Sequence, residues 1–427
     1  MLKNRTQRWL VLGKLFIFPA FGYLFLLLPF LSMSCQRDKV GGVITYVLPW
    51  PDEQGEYHLE EVEIKTLNHA DRLEGAAAKV YLRSGVENGE FTGDIVKPRL
   101  TKKGSRRYMA TDFESALAIS IYKHFEKLQE LDRELGIESQ LPWPRRVGIQ
   151  MNIRSQGGGI EHSNAHYVPQ WDAILISPTH FEGLPMALNA GIIAHEHFHA
   201  HFQAMVVAPL AQSWIQKGGG EDGLESEIEN QSELKARQIN LLLLRAWNEG
   251  MADFWGYLYS GDPTFMDKTY KNEMKGRRLD KGSFLFPNRN GFVYQLKGKA
   301  TQEGRRCGRP ICLSYQLGSR IARLLKNAMD IEVGGKFLPL GNGGIDPKNL
   351  EEAKKRSARR LISGLARLKE SLLKIENEES VQPGLALQEI FLSEKQLPSE
   401  LCKLLYVAGD NEFFEHFRSA CVNSAPN

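Results

Sequence analysis

Between Gly191 and Phe202 the chain sets His195, Glu196 and His199 in an otherwise apolar stretch, with Ile192, Ile193 and Ala194 before them and Phe198 and Phe202 within and after. Such a run reads as a buried helix with an apolar face. At about 3.6 residues per turn, positions i and i+4 share a face one turn apart, so both imidazoles can reach one metal ion. Glu196 is rotated roughly 100° from His195, where its carboxylate can deprotonate a water held at the metal without being a ligand itself. The HExxH pattern is therefore read as a zinc site, with His195 and His199 as ligands and Glu196 as the general base.

Catalytic zinc usually takes three protein ligands and keeps one position open, so a third ligand is sought downstream. The run Trp247, Asn248, Glu249, Gly250, Met251, Ala252, Asp253 offers Glu249 and Asp253 four residues apart on one helix face. The order Asn, Glu, two spacers, small residue, Asp resembles the NExxSD element of thermolysin. The Glu, two spacers, Ala, Asp core resembles the ExxAD element of neprilysin. Both belong to the gluzincin zinc peptidases. The resemblance implies Glu249 as third ligand and Asp253 as the carboxylate that fixes the tautomer of His195. Upstream, Asn164, Ala165, His166, Tyr167, Val168, Pro169 lead into a short strand at Asp172 to Ile176. In gluzincins a strand beginning near Asn-Ala lines the cleft and pairs with extended substrate, so Asn164 and Ala165 are carried over as substrate-binding residues.

The resemblance covers roughly Val147 to Asp253 and departs from both families. The gap from His199 to Glu249 is longer than in thermolysin and shorter than in neprilysin, and it contains the glycine-rich Gly218 to Gly223, read as a flexible insertion. The imidazole that steadies the tetrahedral intermediate in both families has no counterpart, because His416 is the only histidine after His201. Tyr315 falls where some relatives carry it, and its phenol is the candidate donor to the oxyanion. His197 and His201 form a second i, i+4 pair, roughly 200° around the helix from His195. A second metal there is one reading; with no carboxylate or cysteine partner apparent in the sequence, packed or partly exposed imidazoles are the expectation.

The amino terminus sets the expected compartment. Lys3, Arg5, Arg8 and Lys14 precede an apolar run from Leu15 to Leu31, with no acidic residue before Asp38. Leu31, Ser32, Met33, Ser34, Cys35 resembles a relaxed bacterial lipobox, which implies lipidation of Cys35; an uncleaved transmembrane anchor or simple secretion is the alternative. The four remaining cysteines, Cys307, Cys312, Cys402 and Cys421, permit two disulfides in an oxidising compartment, and nearness pairs 307 with 312 and 402 with 421. The segment before Cys35 carries four of the 54 basic residues and none of the 51 acidic ones, so the rest of the chain has a net charge of −1 and no basic excess for nucleic acid.

Elsewhere, residues 40 to 100 hold short β-rich runs such as Val43 to Leu48 and Ala78 to Leu82. Thr111 and Glu114 form a capping-box pattern, after which Leu117, Ile121, Leu128 and Leu135 recur at helical spacing up to Gly136. Val147, Ile149, Met151 and Ile153 alternate as a strand, and beyond Ile311 the pattern is almost wholly helical. The expected organisation is a signal segment at 1–34, a small β-rich region at 35–110, a lobe at 111–225 with the edge strand and HExxH helix, and a mainly helical lobe at 226–427 carrying Glu249. The fold class is α+β, and the resemblance makes it a zincin-like, two-lobed one. The expectation for function is an exported, membrane-tethered peptidase with one zinc per chain and a peptide or protein substrate. A catalytically inactive binding lipoprotein of the same fold is the alternative.

Overall fold

The computed structural model describes residues 42–51, 56–83, 86–87, 90–91, 93–151, 162–178, 183–210, 236–270, 277–288, 290–292, 310–334, 347–375, 381–392, 397–409, 411–415 and 417–421. The lipobox with Cys35, the glycine-rich segment at 218–223, and Cys307 with its expected bridge to Cys312 lie outside these residues. The architecture is α+β. Strands β1 (Ile44–Pro51), β2 (Tyr57–Ile64), β3 (Leu67–His69), β4 (Arg72–Gly75), β5 (Ala78–Leu82), β6 (Val86–Glu87), β7 (Glu90–Phe91), β8 (Leu100–Gly104) and β9 (Arg107–Ala110) precede the first long helix, α1 (Phe113–Leu135). Strands β10 (Arg145–Ile149), β11 (Ala165–Val168) and β12 (Ala173–Ile176) follow it, and no further strand occurs among the described residues.

The strands form a four-stranded sheet in the order β2-β1-β9-β8, a six-stranded sheet in the order β11-β12-β10-β5-β4-β3, and a small β6-β7 hairpin. In the six-stranded sheet β10 runs parallel to both β5 and β12, while β11 closes one edge antiparallel to β12. Residues 35–110, read from sequence as a small β-rich leading region, supply β3, β4 and β5 to the same sheet as β11 and β12. Parallel neighbours are joined only by crossovers, and strand partnership of that range leaves no local mark. All four residues of β12 are buried, as a sheet strand covered on both faces requires.

Helix α1 begins one residue later than a cap at Thr111 implies. Thr111 is held by Arg99, its backbone N–H and hydroxyl both donating to that carbonyl, so the cap passes to Asp112, whose side chain accepts from Ser115 N at 2.7 Å. The helix ends at Gly136 with φ +74°, a left-handed cap that takes glycine readily.

After β12 come α2 (Ala190–Phe202), prolonged by a π-turn at Gln203–Val207 and a last turn at Ala208–Leu210, then α3 (Ala236–Ser260) and α4 (Phe265–Tyr270). The remaining helices are α5 (Pro310–Glu332), α6 (Pro347–Leu373), α7 (Leu385–Phe391), α8 (Ser399–Ala408) and α9 (Asn411–Glu415). Helix α3 packs between α2 and α5. Two glycines permit this closeness: a Cβ at Gly256 would lie 2.6 Å from the carbonyl oxygen of Gly191 on α2, and one at Gly250 would lie 2.4 Å from that of Gly318 on α5. Cys402 on α8 is bridged to Cys421 by a disulfide. Among the described residues no helix is long and apolar enough to cross a membrane.

Candidate metal centre

Helix α2 is fixed at its start by Asn189. The Asn189 side-chain oxygen accepts from Gly191 N and Ile192 N at 3.1 and 3.2 Å, while its amide nitrogen donates to Phe265 O and Thr269 Oγ1 at 2.7 and 2.9 Å. One buried side chain thus caps α2 and ties it to α4. From that anchor His195 and His199 project toward α3, which places Glu249 opposite them.

The donor atoms of His195, His199 and Glu249 lie within 4.8 Å of one another. The two Nε2 atoms are 2.9 Å apart, His195 Nε2 is 3.6 Å from Glu249 Oε2, and His199 Nε2 is 4.0 Å from Glu249 Oε1. These separations bracket the roughly 3.4 Å edge of a tetrahedron around zinc with ligands at about 2.1 Å. Two imidazoles and a carboxylate are also a donor set that suits such an ion.

Both imidazoles are oriented from behind. His195 Nδ1 lies 3.0 Å from Asp253 Oδ1, and His199 Nδ1 lies 2.8 Å from Asn248 Oδ1. With both Nδ1 atoms turned to oxygens, both Nε2 atoms face inward, where a metal ion could lie between them. Burial alone would lower the pKa of His195, but the hydrogen-bonded Asp253 carboxylate holds it above the ordinary histidine value. Burial, and next the neighbouring His195, push His199 down.

Arg277 and Arg245 carry no sequence signal of their own. Arg277, buried beside α3, donates to Asp253 through Nε and Nη2 at 3.1 and 2.6 Å and to Glu249 Oε2 through Nη2 at 3.0 Å. Burial would raise the pKa of both carboxylates, yet Arg277 keeps Glu249 and Asp253 below the usual carboxylate range and so ionised. The same two carboxylates outweigh burial in keeping Arg277 itself charged. Asn248 stands next to Glu249 in the motif and meets His199 Nδ1 through its side-chain oxygen. Tyr315 is half-buried on α5, and its hydroxyl oxygen accepts from Arg245 Nη2 at 2.9 Å. The Arg245 and Arg277 guanidinium carbons each lie 5.3 Å from its ring centroid. The Glu249 charge, and next burial, raise its pKa, so the phenol keeps its proton.

Glu196 is joined to the sheet edge: its Oε2 accepts from Tyr167 N, on β11, at 2.8 Å. That strand is braced by Arg145 on β10, which grips Asp172 at 2.7 and 3.0 Å, while Tyr167 Oη donates to the same carboxylate at 3.1 Å. Asp172 itself turns the chain in the left-handed region at φ +43°. Asn164 and Ala165 open β11: Asn164 N donates to Ser177 Oγ, and Ala165 N donates to the Asn164 side-chain oxygen. The contact from strand to site runs through Tyr167, two residues on and facing the same way as Ala165. The chain matches no protein-family model and no curated protein.

Proposed function

We propose that the protein is a zinc-dependent peptidase of zincin-like, two-lobed fold, in which α1, β10, β11, β12 and α2 belong to one lobe and α3 onward to the other. One observation carries this reading: His195, His199 and Glu249 converge while Glu196, between the two histidines, is hydrogen-bonded to the edge strand of the six-stranded sheet. Zinc in that donor set would supply a Lewis acid for a water and a scissile carbonyl. Glu196 takes the proton of the attacking water and delivers it to the leaving amine. Tyr167 N–H holds one Glu196 oxygen and leaves the other for that proton. The Ala165 N–H is held by the Asn164 side chain, so its carbonyl, on the same side as that of Tyr167, is the group by which an extended peptide would pair with β11. Arg245 occupies the Tyr315 oxygen, so the phenolic hydrogen is the part left to donate to a developing oxyanion.

The test is Glu196→Gln, assayed on an unstructured protein substrate alongside the metal content. Cleavage should vanish while zinc stays; cleavage at the wild-type rate sinks the mechanism. A catalytically silent, metal-binding lipoprotein is the second reading. It is favoured by Arg277, whose guanidinium already takes Glu249 Oε2. Zinc uptake without hydrolysis by the wild type would select it.

The proposed location is extracytoplasmic, tethered through Cys35 or an uncleaved anchor. The basic and apolar leader supports it, as does the Cys402–Cys421 disulfide, a bond that persists in oxidising compartments. Labelling with a radioactive fatty acid should mark the wild type and not Cys35→Ala; equal labelling of both would reject the lipid site.

A further inference from the structure

The face of α2 that turns away from Glu249 carries His197 and His201, and the carboxylate that the sequence did not reveal for them is Asp132, on α1. His197 Nε2 and His201 Nε2 each lie 3.0 Å from the same atom, Asp132 Oδ2. All three side chains are fully buried, and their donor atoms lie within 4.8 Å of one another. Among the described residues, Asp132 Oδ1, His197 Nδ1 and His201 Nδ1 have no hydrogen-bond partner. The surroundings are aromatic: the rings of Phe125 and Trp143 stand 6.1 and 5.7 Å from His197, and that of Trp255 stands 6.1 Å from His201. Arg145, the cation whose charge reaches His197, is spent on Asp172.

A buried carboxylate with one oxygen crowded by two imidazoles and the other bare is badly solvated by hydrogen bonds alone. A divalent cation among these atoms answers both deficits, since it balances the carboxylate charge and takes Oδ1 as a donor beside the two Nε2 atoms. We propose that Asp132, His197 and His201 form a second metal site, separate from the His195, His199 and Glu249 cluster and closed to solvent. Imidazole and carboxylate donors suit zinc or a neighbouring first-row metal. Three donors leave a fourth position, but all three side chains are buried away from solvent, so the site is structural, a cross-link between α1 and α2. It does not rest on the peptidase reading, because no residue of it touches the substrate edge.

The test is zinc per chain by elemental mass spectrometry on the full chain, beside His199→Ala, His201→Gln and the double variant. The proposal expects two ions in the wild type, one in each single variant and none in the double. A wild type that saturates at one ion, lost in His199→Ala and kept in His201→Gln, overturns it. Because substitution of a buried group can unfold the chain, anomalous scattering at the zinc edge from wild-type crystals is the second measurement. A peak among Asp132, His197 and His201 supports the site, and zinc-loaded crystals without one there reject it. A peak there with none at His195 and His199 would fail the peptidase reading alone.

Discussion

Replacing Asp253 by Asn keeps the shape of the side chain and removes one charge. In the native site Asp253 accepts from His195 Nδ1 at 3.0 Å and from Arg277 at 2.6 and 3.1 Å. The Asn oxygen can still receive the His195 proton, but His195 becomes a weaker electron donor at Nε2. Arg277 is left with Glu249 as its remaining carboxylate, at 3.0 Å from Oε2, and competes harder for that oxygen. Both changes act against metal. Loss of a partner behind a metal-bound imidazole typically lowers affinity about 10- to 100-fold, or about 1.4 to 2.8 kcal/mol. Stripping one partner from a buried ion pair costs the metal-free fold about 3 kcal/mol as well. Competition with a chromophoric chelator at fixed pH reads the zinc Kd, and urea unfolding of the metal-free protein reads the second loss. A folded Asp253→Asn protein whose zinc Kd stays within about two-fold of wild type would refute the reasoning, since second-sphere carboxylates do not act so weakly on a true ligand.

Asn189→Ala removes the cap of α2 and two donors to α4, and should cost about 3 kcal/mol in urea unfolding; a loss under about 0.5 kcal/mol would show that the cap carries no weight. Burial, and next Lys127 and Lys123, push His124 down to about 3. Its folded pKa lies below the unfolded one, so the unfolded chain takes up the proton first and stability falls as pH drops below about 6.5. Over pH 6.5 to 4.5 this one group removes about 2 to 3 kcal/mol, and His124→Phe should flatten the stability profile by that amount, whereas an unchanged slope would contradict it.

What the sequence discloses about the site is what lies within one helical turn. His195 with His199, and Glu249 with Asp253, are i, i+4 pairs whose shared face follows from helix geometry alone. The two pairs meet because Gly256 lets α3 approach Gly191, which spacing does not encode. Arg277 stands 24 residues beyond Asp253 in sequence and reaches back to it. The fold divides in the same way. The periodicity from Leu117 to Leu135 marks α1, and the alternation from Val147 marks β10, while the union of β5 with β10 depends on partners some 67 residues apart, Ala78 with Arg145. Thr111 shows a competition rather than a missing signal: its affinity for the Arg99 carbonyl moves the cap to Asp112.

Histidines at 195, 197, 199 and 201 fall at every second position, and on a helix each such step turns the side chain by roughly 200°. The four are thereby sorted into two pairs on opposed faces, and each pair meets carboxylates from a different helix: Glu249 and Asp253 from α3, Asp132 from α1. Neither helix alone determines the rotation of α2 about its axis, but the two sets together do. A turn of a few tens of degrees that brought His195 closer to Asp253 would pull His197 and His201 off Asp132. The placement of Glu196 against β11 at 2.8 Å then follows from a helix held on two sides, and damage at Asp132 should reach the Glu196 face without touching any residue in it. Zinc affinity at His195 and His199 measured in Asp132→Asn tests that coupling. A fall in affinity is expected, and an unchanged value in a folded variant would mean that α2 is set without Asp132.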